Sequence, residues 1–352
     1  MTGSEPTLPS LDTALLDGFA FRCRPDCGLC CFAEPRVSSS DRVPLLQIAP
    51  EAELVGAGRD VFLASRPDGG ACQMLDRLRC RVHAARPAPC REFPITVHVG
   101  LRLQATVVLS CPGVSLEGLR AARARTPSPP APSFREELTS VRGRIDRSVV
   151  RRMEDAQRRR RKLARELDAQ GRWKDEAPVR TALASAIPLP TSDDFPVAEP
   201  PRAEDGLSGL PLFFDGRGGP VAIGAGLGGW ALLELSPEGG ATPLGVVPPP
   251  DRCPPMSPPA KALLTAYLDY WLRRDAVFGA VHLAMAEADE GTVEEWVRRE
   301  LRGIGALVLA RADVRARARR GPGGPLSAEE VAEGIRATDQ DLLDRATWGD
   351  RL

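Results

Sequence analysis

Cys23-Arg-Pro-Asp-Cys27-Gly-Leu-Cys30-Cys31 places four thiols within nine residues. Packing alone does not account for that density, because a structural cysteine usually occurs singly, as a small buried apolar residue. A thiolate metal site does call for it: two sulfurs must reach one ion at about 2.3 Å, so the chain between them turns tightly. Gly28 stands inside the turn and permits the unusual dihedrals it needs. Working outward, Cys72, Cys80, Cys90 and Cys111 complete a set of eight thiols, while Cys253 lies far off in proline-rich sequence and reads as a free thiol. Thiolates suit zinc, iron and iron–sulfur centres above hard cations such as magnesium.

The segment Met1–Phe21 has neither a basic start nor an apolar run and does not read as an export signal. The longest uncharged stretch, between Arg217 and Glu234, is too short and too rich in glycine for a spanning helix. The expectation is a cytoplasmic protein with no membrane partner, whose thiols are kept reduced rather than paired as disulfides. A redox pair at Cys27 and Cys30 is disfavoured by the neighbouring Cys23 and Cys31 and by the lack of a βαβ context. Basic and acidic residues balance at 47 each, so no net field gathers nucleic acid. The one concentrated basic run, Arg158 to Lys162, lies among Glu154, Asp155, Glu166 and Asp168 and reads as a solvated helix face.

The order Cys23-x3-Cys27-Gly-x-Cys30-Cys31, Gly70-Ala-Cys72, then Cys80-Arg-Val-His83-x-x-Arg86-Pro87-x-x-Cys90-Arg91-Glu-Phe93-Pro94 resembles the YkgJ-like family, named for its CxxCxxCC cluster. The resemblance covers about residues 18–115, roughly a third of the chain. It implies zinc or iron chelation, with Cys23, Cys27, Cys30, Cys31, Cys72, Cys80 and Cys90 as metal ligands and Cys111 as an eighth. The first gap holds three residues where the shortest family form has two, and His83 stands where an aromatic is expected. His83 is therefore a further ligand candidate, against the alternative of a hydrogen-bonded packing residue. Arg86 and Arg91 flank Cys90, where a cation can donate to sulfur or offset thiolate charge; an ordinary ion pair is the alternative. Eight thiolates are compatible with one [4Fe–4S] cluster plus structural thiols, or with two four-cysteine zinc sites.

The fold class expected is α+β: a small, loop-rich, metal-bound cysteine domain over residues 1–120, then a proline-rich linker, a long amphipathic helix and a loop over 121–206. Ser133 and Glu136 suggest a capping box, and Phe134, Leu138, Val141, Ile145, Val149, Met153 and Ala156 recur at helical spacing. Residues 175–206, rich in Pro, Asp and Glu, read as loop. Residues 207–250 are β-rich, with a hairpin from Trp230–Leu235 through Pro237-Glu-Gly-Gly240 to Ala241–Val247. Residues 251–352 read as three helices, opening at Ser257-Pro258, at Thr292 with Glu295, and at Ser327 with Glu330.

Gly224-Ala-Gly226-Leu-Gly-Gly229 matches a dinucleotide fingerprint, but the following segment is cut within about seven residues, so a glycine-rich hairpin is the better reading. With three histidines in the chain, no nucleophile pattern or acid/base set stands out. The function expected is metal binding rather than catalysis, with zinc or iron as cofactor and a protein partner met through the C-terminal region. The alternative class is an iron–sulfur enzyme or accessory protein, for redox chemistry or a methylase-like modification. Removal of the metal is expected to unfold the first domain.

Overall fold

The computed structural model describes residues 8–24, 27–32, 34–58, 60–67, 70–123, 134–195, 212–213, 220–248, 250–288, 290–339, 341–344 and 350–351. In chain order, strand β1 (Leu11–Asp12) is followed by helix α1 (Ser39–Ile48), the hairpin β2 (Leu54–Ala57) and β3 (Asp60–Leu63), and the hairpin β4 (Leu75–Asp76) and β5 (Arg79–Cys80). Helix α2 (Ala88–Glu92) then leads into β6 (Ile95–Val99) and β7 (Leu103–Val107). Next come helices α3 (Glu117–Arg123), α4 (Arg135–Gly143), α5 (Arg147–Ala169) and α6 (Glu176–Ser185). Strands β8 (Leu212–Phe213), β9 (Val221–Gly226), β10 (Gly229–Leu235) and β11 (Ala241–Val247) precede helices α7 (Pro258–Leu272), α8 (Asp275–Glu287), α9 (Val293–Arg320) and α10 (Ala328–Asp339), and β12 (Asp350–Arg351) closes the set. The class is α+β.

Among the described residues two four-stranded sheets carry most of the β structure, beside the two-stranded hairpins β2-β3 and β4-β5. One four-stranded sheet has the order β1-β7-β6-β12 and the other β11-β10-β9-β8. Strand β7 is buried on both faces, and its Leu103, Ala105 and Val107 belong to one buried apolar cluster with residues of α7 and α10. One cluster of buried apolar residues runs from Leu15 through Val107, Leu119 and Val149 to Tyr267, Val308 and Ile335. The strands and helix of residues 95–123 therefore share their core with the C-terminal helices. Inside this core Arg274 pairs with Asp339 at 3.2 Å and lies over the rings of Trp271 and Tyr270. Asp339 also accepts from Tyr267 at 3.2 Å and from the Leu109 amide at 2.7 Å, so the buried carboxylate is surrounded by donors. No helix among the described residues is long and apolar enough to cross a membrane.

Several elements differ from the sequence reading. The stripe from Phe134 is broken into α4 and α5, because Asp146 leaves the helical conformation and caps α5 from its own side chain, accepting from Ser148 at 2.8 Å and Val149 at 3.3 Å. An N-cap of this kind contributes about 1 kcal/mol, enough to start a new helix where the old one weakens. Ser133 lies outside the described residues. The stretch read as loop from residue 175 contains α6, which buries Val179 and Leu183; Pro178 falls in its first turn, where a missing amide costs no helical bond. The helix opening at Ser257 ends at Leu272, and α8 begins afresh at Asp275, with the buried Arg274 at the break. The capping boxes at Thr292 and Ser327 form as read, and so do both glycine-bearing hairpins of the second sheet.

Candidate metal centre

The cysteine segment owes its shape to a few backbone devices. Gly28 adopts φ +56°, and a Cβ there would sit 3.2 Å from Leu75 Cδ2, so both the turn and its packing require glycine. The Cys31 amide donates to the Gly28 carbonyl at 2.9 Å, closing the turn. The Cys31 carbonyl in turn accepts from the Cys72 amide at 2.6 Å, which ties the first cluster to the next cysteine. Cys80 sits on β5 opposite Leu75, at the end of a two-residue turn in which Arg77 (φ 45°) and Leu78 (φ 62°) are both left-handed. Neither residue is one that favours that region, so the turn stores strain where it presents a thiol. Cys90 rides on α2.

These elements enclose one cavity of about 490 Å³ whose wall holds Cys23, Cys27, Cys30, Cys31, Cys72, Cys80 and Cys90. Leu63, Met74, Leu75, Leu78 and Val82 supply apolar wall between the sulfurs, while Arg24, Arg79, Arg86 and His83 supply the polar groups. Cys111 is not in this wall. It is buried on a turn after β7 that pairs with the chain leading into Cys23: the Arg22 amide donates to Gly113 at 2.9 Å, and a Cβ on Gly113 would approach the Arg22 carbonyl to 2.4 Å. All nine cysteines are free thiols. The sulfurs stand around the cavity rather than at a common centre: among the described residues no three Cys, His, Asp or Glu side chains are gathered tightly enough to hold an ion as placed.

The electrostatics follow from burial and crowding. Burial raises the Cys23, Cys72, Cys80 and Cys90 thiols above their ordinary value and takes Cys27 up to about 11 and Cys111 up to about 12. The adjacent pair behaves differently. A hydrogen bond from Cys31 stabilises the Cys30 thiolate and lowers its pKa, and the same bond raises Cys31. Arg86 faces the thiols and pulls Cys23, Cys30, Cys80 and Cys90 downward. Its own orientation is set by a hydrogen bond from Nε to the His83 carbonyl at 3.1 Å. His83 lies exposed on the wall, its pKa lowered by partial burial and by Arg86.

Arg91, the second arginine beside Cys90, does not face the cavity. It donates to the Arg86 carbonyl and reaches Asp41 at 3.0 Å. Asp41 was not singled out in the sequence, although Ser38-x-x-Asp41 has the spacing of a capping box. It is 3% exposed and accepts from the Ser38 hydroxyl at 2.6 Å and from the Ala88 amide at 3.3 Å, which pins the start of α2, the helix carrying Cys90, to the start of α1. Although burial acts against ionisation, the Ser38, Ala88 and Arg91 donors hold the Asp41 carboxyl below its usual range. The second sheet backs the cavity from outside: Ala222 and Leu235 pack on Phe32, Ala71 and Leu75, with Cys31 at the edge of that cluster. The turn between β10 and β11 grips the Cys72 loop, the Pro237 carbonyl accepting from the Ala71 amide at 3.0 Å and from Arg66 at 3.1 Å.

Residues 22–111 match the CxxCxxCC family, described as a putative zinc- or iron-chelating domain. This segment carries all eight clustered cysteines. No curated protein and no solved structure matched the chain.

Proposed function

We propose that the chain binds zinc or iron through the thiolates of its N-terminal cysteines, with Cys23, Cys27, Cys30, Cys31, Cys72, Cys80 and Cys90 as ligands and Cys111 as an eighth. One observation carries this: seven reduced thiols, brought from four separate stretches of chain, line a single cavity. The donor set fits a soft or borderline metal, since the wall offers sulfur and one imidazole but no carboxylate. When bound, the metal would hold the thiols as thiolates and cross-link the loops that carry them. Cys30 supplies the first thiolate, because the Cys31 hydrogen bond and Arg86 both favour its charged form. Arg86 offsets the negative charge that several thiolates accumulate, and the apolar wall limits water. Seven thiols exceed the four that one tetrahedral zinc or one [4Fe–4S] cluster accepts, which supports a second centre beside the first.

The test is metal analysis with a visible spectrum on the chain purified without oxygen. Stoichiometric zinc in a colourless protein, or iron with acid-labile sulfide in a brown one, supports the proposal and names the metal. Absence of any metal, together with failure of the reduced chain to take up zinc or iron, overturns it.

A further inference from the structure

We propose that the second sheet is a wall of the metal centre and Arg66 its positioning residue: together they hold the segments that carry Cys31, Cys72 and Cys80 in place before a metal arrives. Strands β9 and β10 are then part of the site rather than of a separate module. This rests on the metal-binding reading above. Side chains along a strand alternate between its faces, and the two faces of this sheet have different neighbours. Val221, Ile223, Trp230 and Leu232 lie in the apolar core shared with the C-terminal helices. Ala222 and Leu235, with Leu233 beside them, lie instead against Phe32, Ala71 and Leu75. Each of those three contacts is one step from a thiol of the cavity wall: Phe32 follows Cys31, Ala71 precedes Cys72, and Leu75 is the strand partner of Cys80. The core thus fixes the sheet from behind, and its other face meets the cysteine segments.

A polar latch closes the joint. Arg66 donates to the Leu75 carbonyl at 2.6 Å on one side and to the Pro237 carbonyl at 3.1 Å on the other, and it pairs with the Glu238 carboxylate at 3.3 Å. The Ala71 amide donates to Pro237 as well, at 3.0 Å. The two backbones come so close that a Cβ on Gly70 would stand 3.0 Å from the Gly239 nitrogen. One guanidinium therefore spans the Cys72 loop, the Cys80 hairpin and the turn between β10 and β11. None of these contacts depends on the charge of a thiol. A metal that draws the three thiols together meets backbone already ordered, so less conformational entropy opposes its binding. The coupling is reciprocal: bound metal holds the joint closed by the same factor by which the joint strengthens metal binding.

The experiment compares the full chain with Arg66→Met, Arg66→Lys, Leu235→Ala and Leu232→Ala. Both leucines stand on β10 and are fully buried, but on opposite faces, so Leu232→Ala leaves a like cavity in the core without touching the cysteine side. Zinc affinity is read by chelator competition, ligand geometry by the visible spectrum after cobalt loading, and global stability by urea unfolding. Exchange of the Ala71 amide is followed with and without zinc. Arg66→Met and Leu235→Ala are each expected to weaken zinc binding roughly 10–100-fold, the range typical for groups that orient ligands. Both should alter the cobalt spectrum, with Arg66→Lys recovering part of each loss. Leu232→Ala should unfold at lower urea yet keep the parental zinc affinity and cobalt spectrum. Zinc should slow Ala71 exchange in the parent more than in Leu235→Ala. The Arg66 side chain is 22% exposed, so its variants keep the core intact and decide the question if a leucine variant does not fold. Parental zinc affinity in Arg66→Met or Leu235→Ala, or equal weakening in Leu232→Ala, overturns this proposal alone. Failure of the parent chain to take up zinc, cobalt or iron overturns the metal-binding reading and this proposal with it.

Discussion

Replacing Asp41 with alanine should loosen the cysteine module more than any other single change away from a sulfur. Its carboxylate joins α1 to α2, the helix that carries Cys90, through Ser38, Ala88 and Arg91. Loss of the cap costs about 1 kcal/mol. The buried Ala88 amide then lacks its partner, at about 1–3 kcal/mol, and the charged bond to Arg91 contributes about 1 kcal/mol after allowance for the 40% exposure of that arginine. The expected loss is about 3–5 kcal/mol by urea unfolding at neutral pH, with Asp41→Asn losing about half. Because the folded carboxyl titrates below 3.8, the part of its contribution that depends on charge is complete above that value and is lost as pH falls through the lowered folded value. The gap between the parent and Asp41→Ala should therefore narrow in acid. Zinc affinity should fall roughly 10–100-fold, since the helix presenting Cys90 loses its anchor. A variant that unfolds within about 1 kcal/mol of the parent and binds zinc equally would refute the role given to Asp41.

Three further outcomes are expected. Gly28→Ala forces a side chain into a backbone at φ +56° and against Leu75, which should cost about 1–2 kcal/mol and lower metal uptake; a full metal count at parental stability would contradict this. The metal-free chain should lose stability as pH rises from 9.0 through about 11 to about 12, because Cys27 and Cys111 are held neutral in the fold and ionise more readily when unfolded. Denaturant titrations across that window check the sign, and metal loading should abolish the effect for any thiol it ligates. Chelation should release hydrogen-exchange protection within residues 22–91 while β6 and β7 keep theirs, since those strands share the core of the C-terminal helices; simultaneous loss in both would show that the metal supports the whole fold.

How far the sequence reached can be judged from particular residues. Cys30 and Cys31 were legible because thiol spacing is local chemistry, and Gly28 was legible because a tight turn needs its freedom. The capping boxes at Thr292 and Ser327 were legible for the same reason: donor and acceptor lie three residues apart. The break at Asp146 was missed because the apolar stripe continues across it, and a cap competes with periodicity on nearly equal terms. Helix α6 was missed because proline-rich composition outweighed two apolar residues, Val179 and Leu183, whose burial depends on helices far along the chain.

The sequence by itself determined that eight thiols cluster, that their chemistry suits zinc or iron, and that helices and short strands make up the rest. Only the tertiary structure decided which thiols share a cavity, that Arg86 faces them while Arg91 turns to Asp41, and that Arg336, more than 220 residues from Cys111, closes over its turn. The physical reason is that spacing constrains atoms only over a turn or two of chain. Beyond that, position is set by burial of apolar surface from many segments at once, and no one of those segments carries the answer.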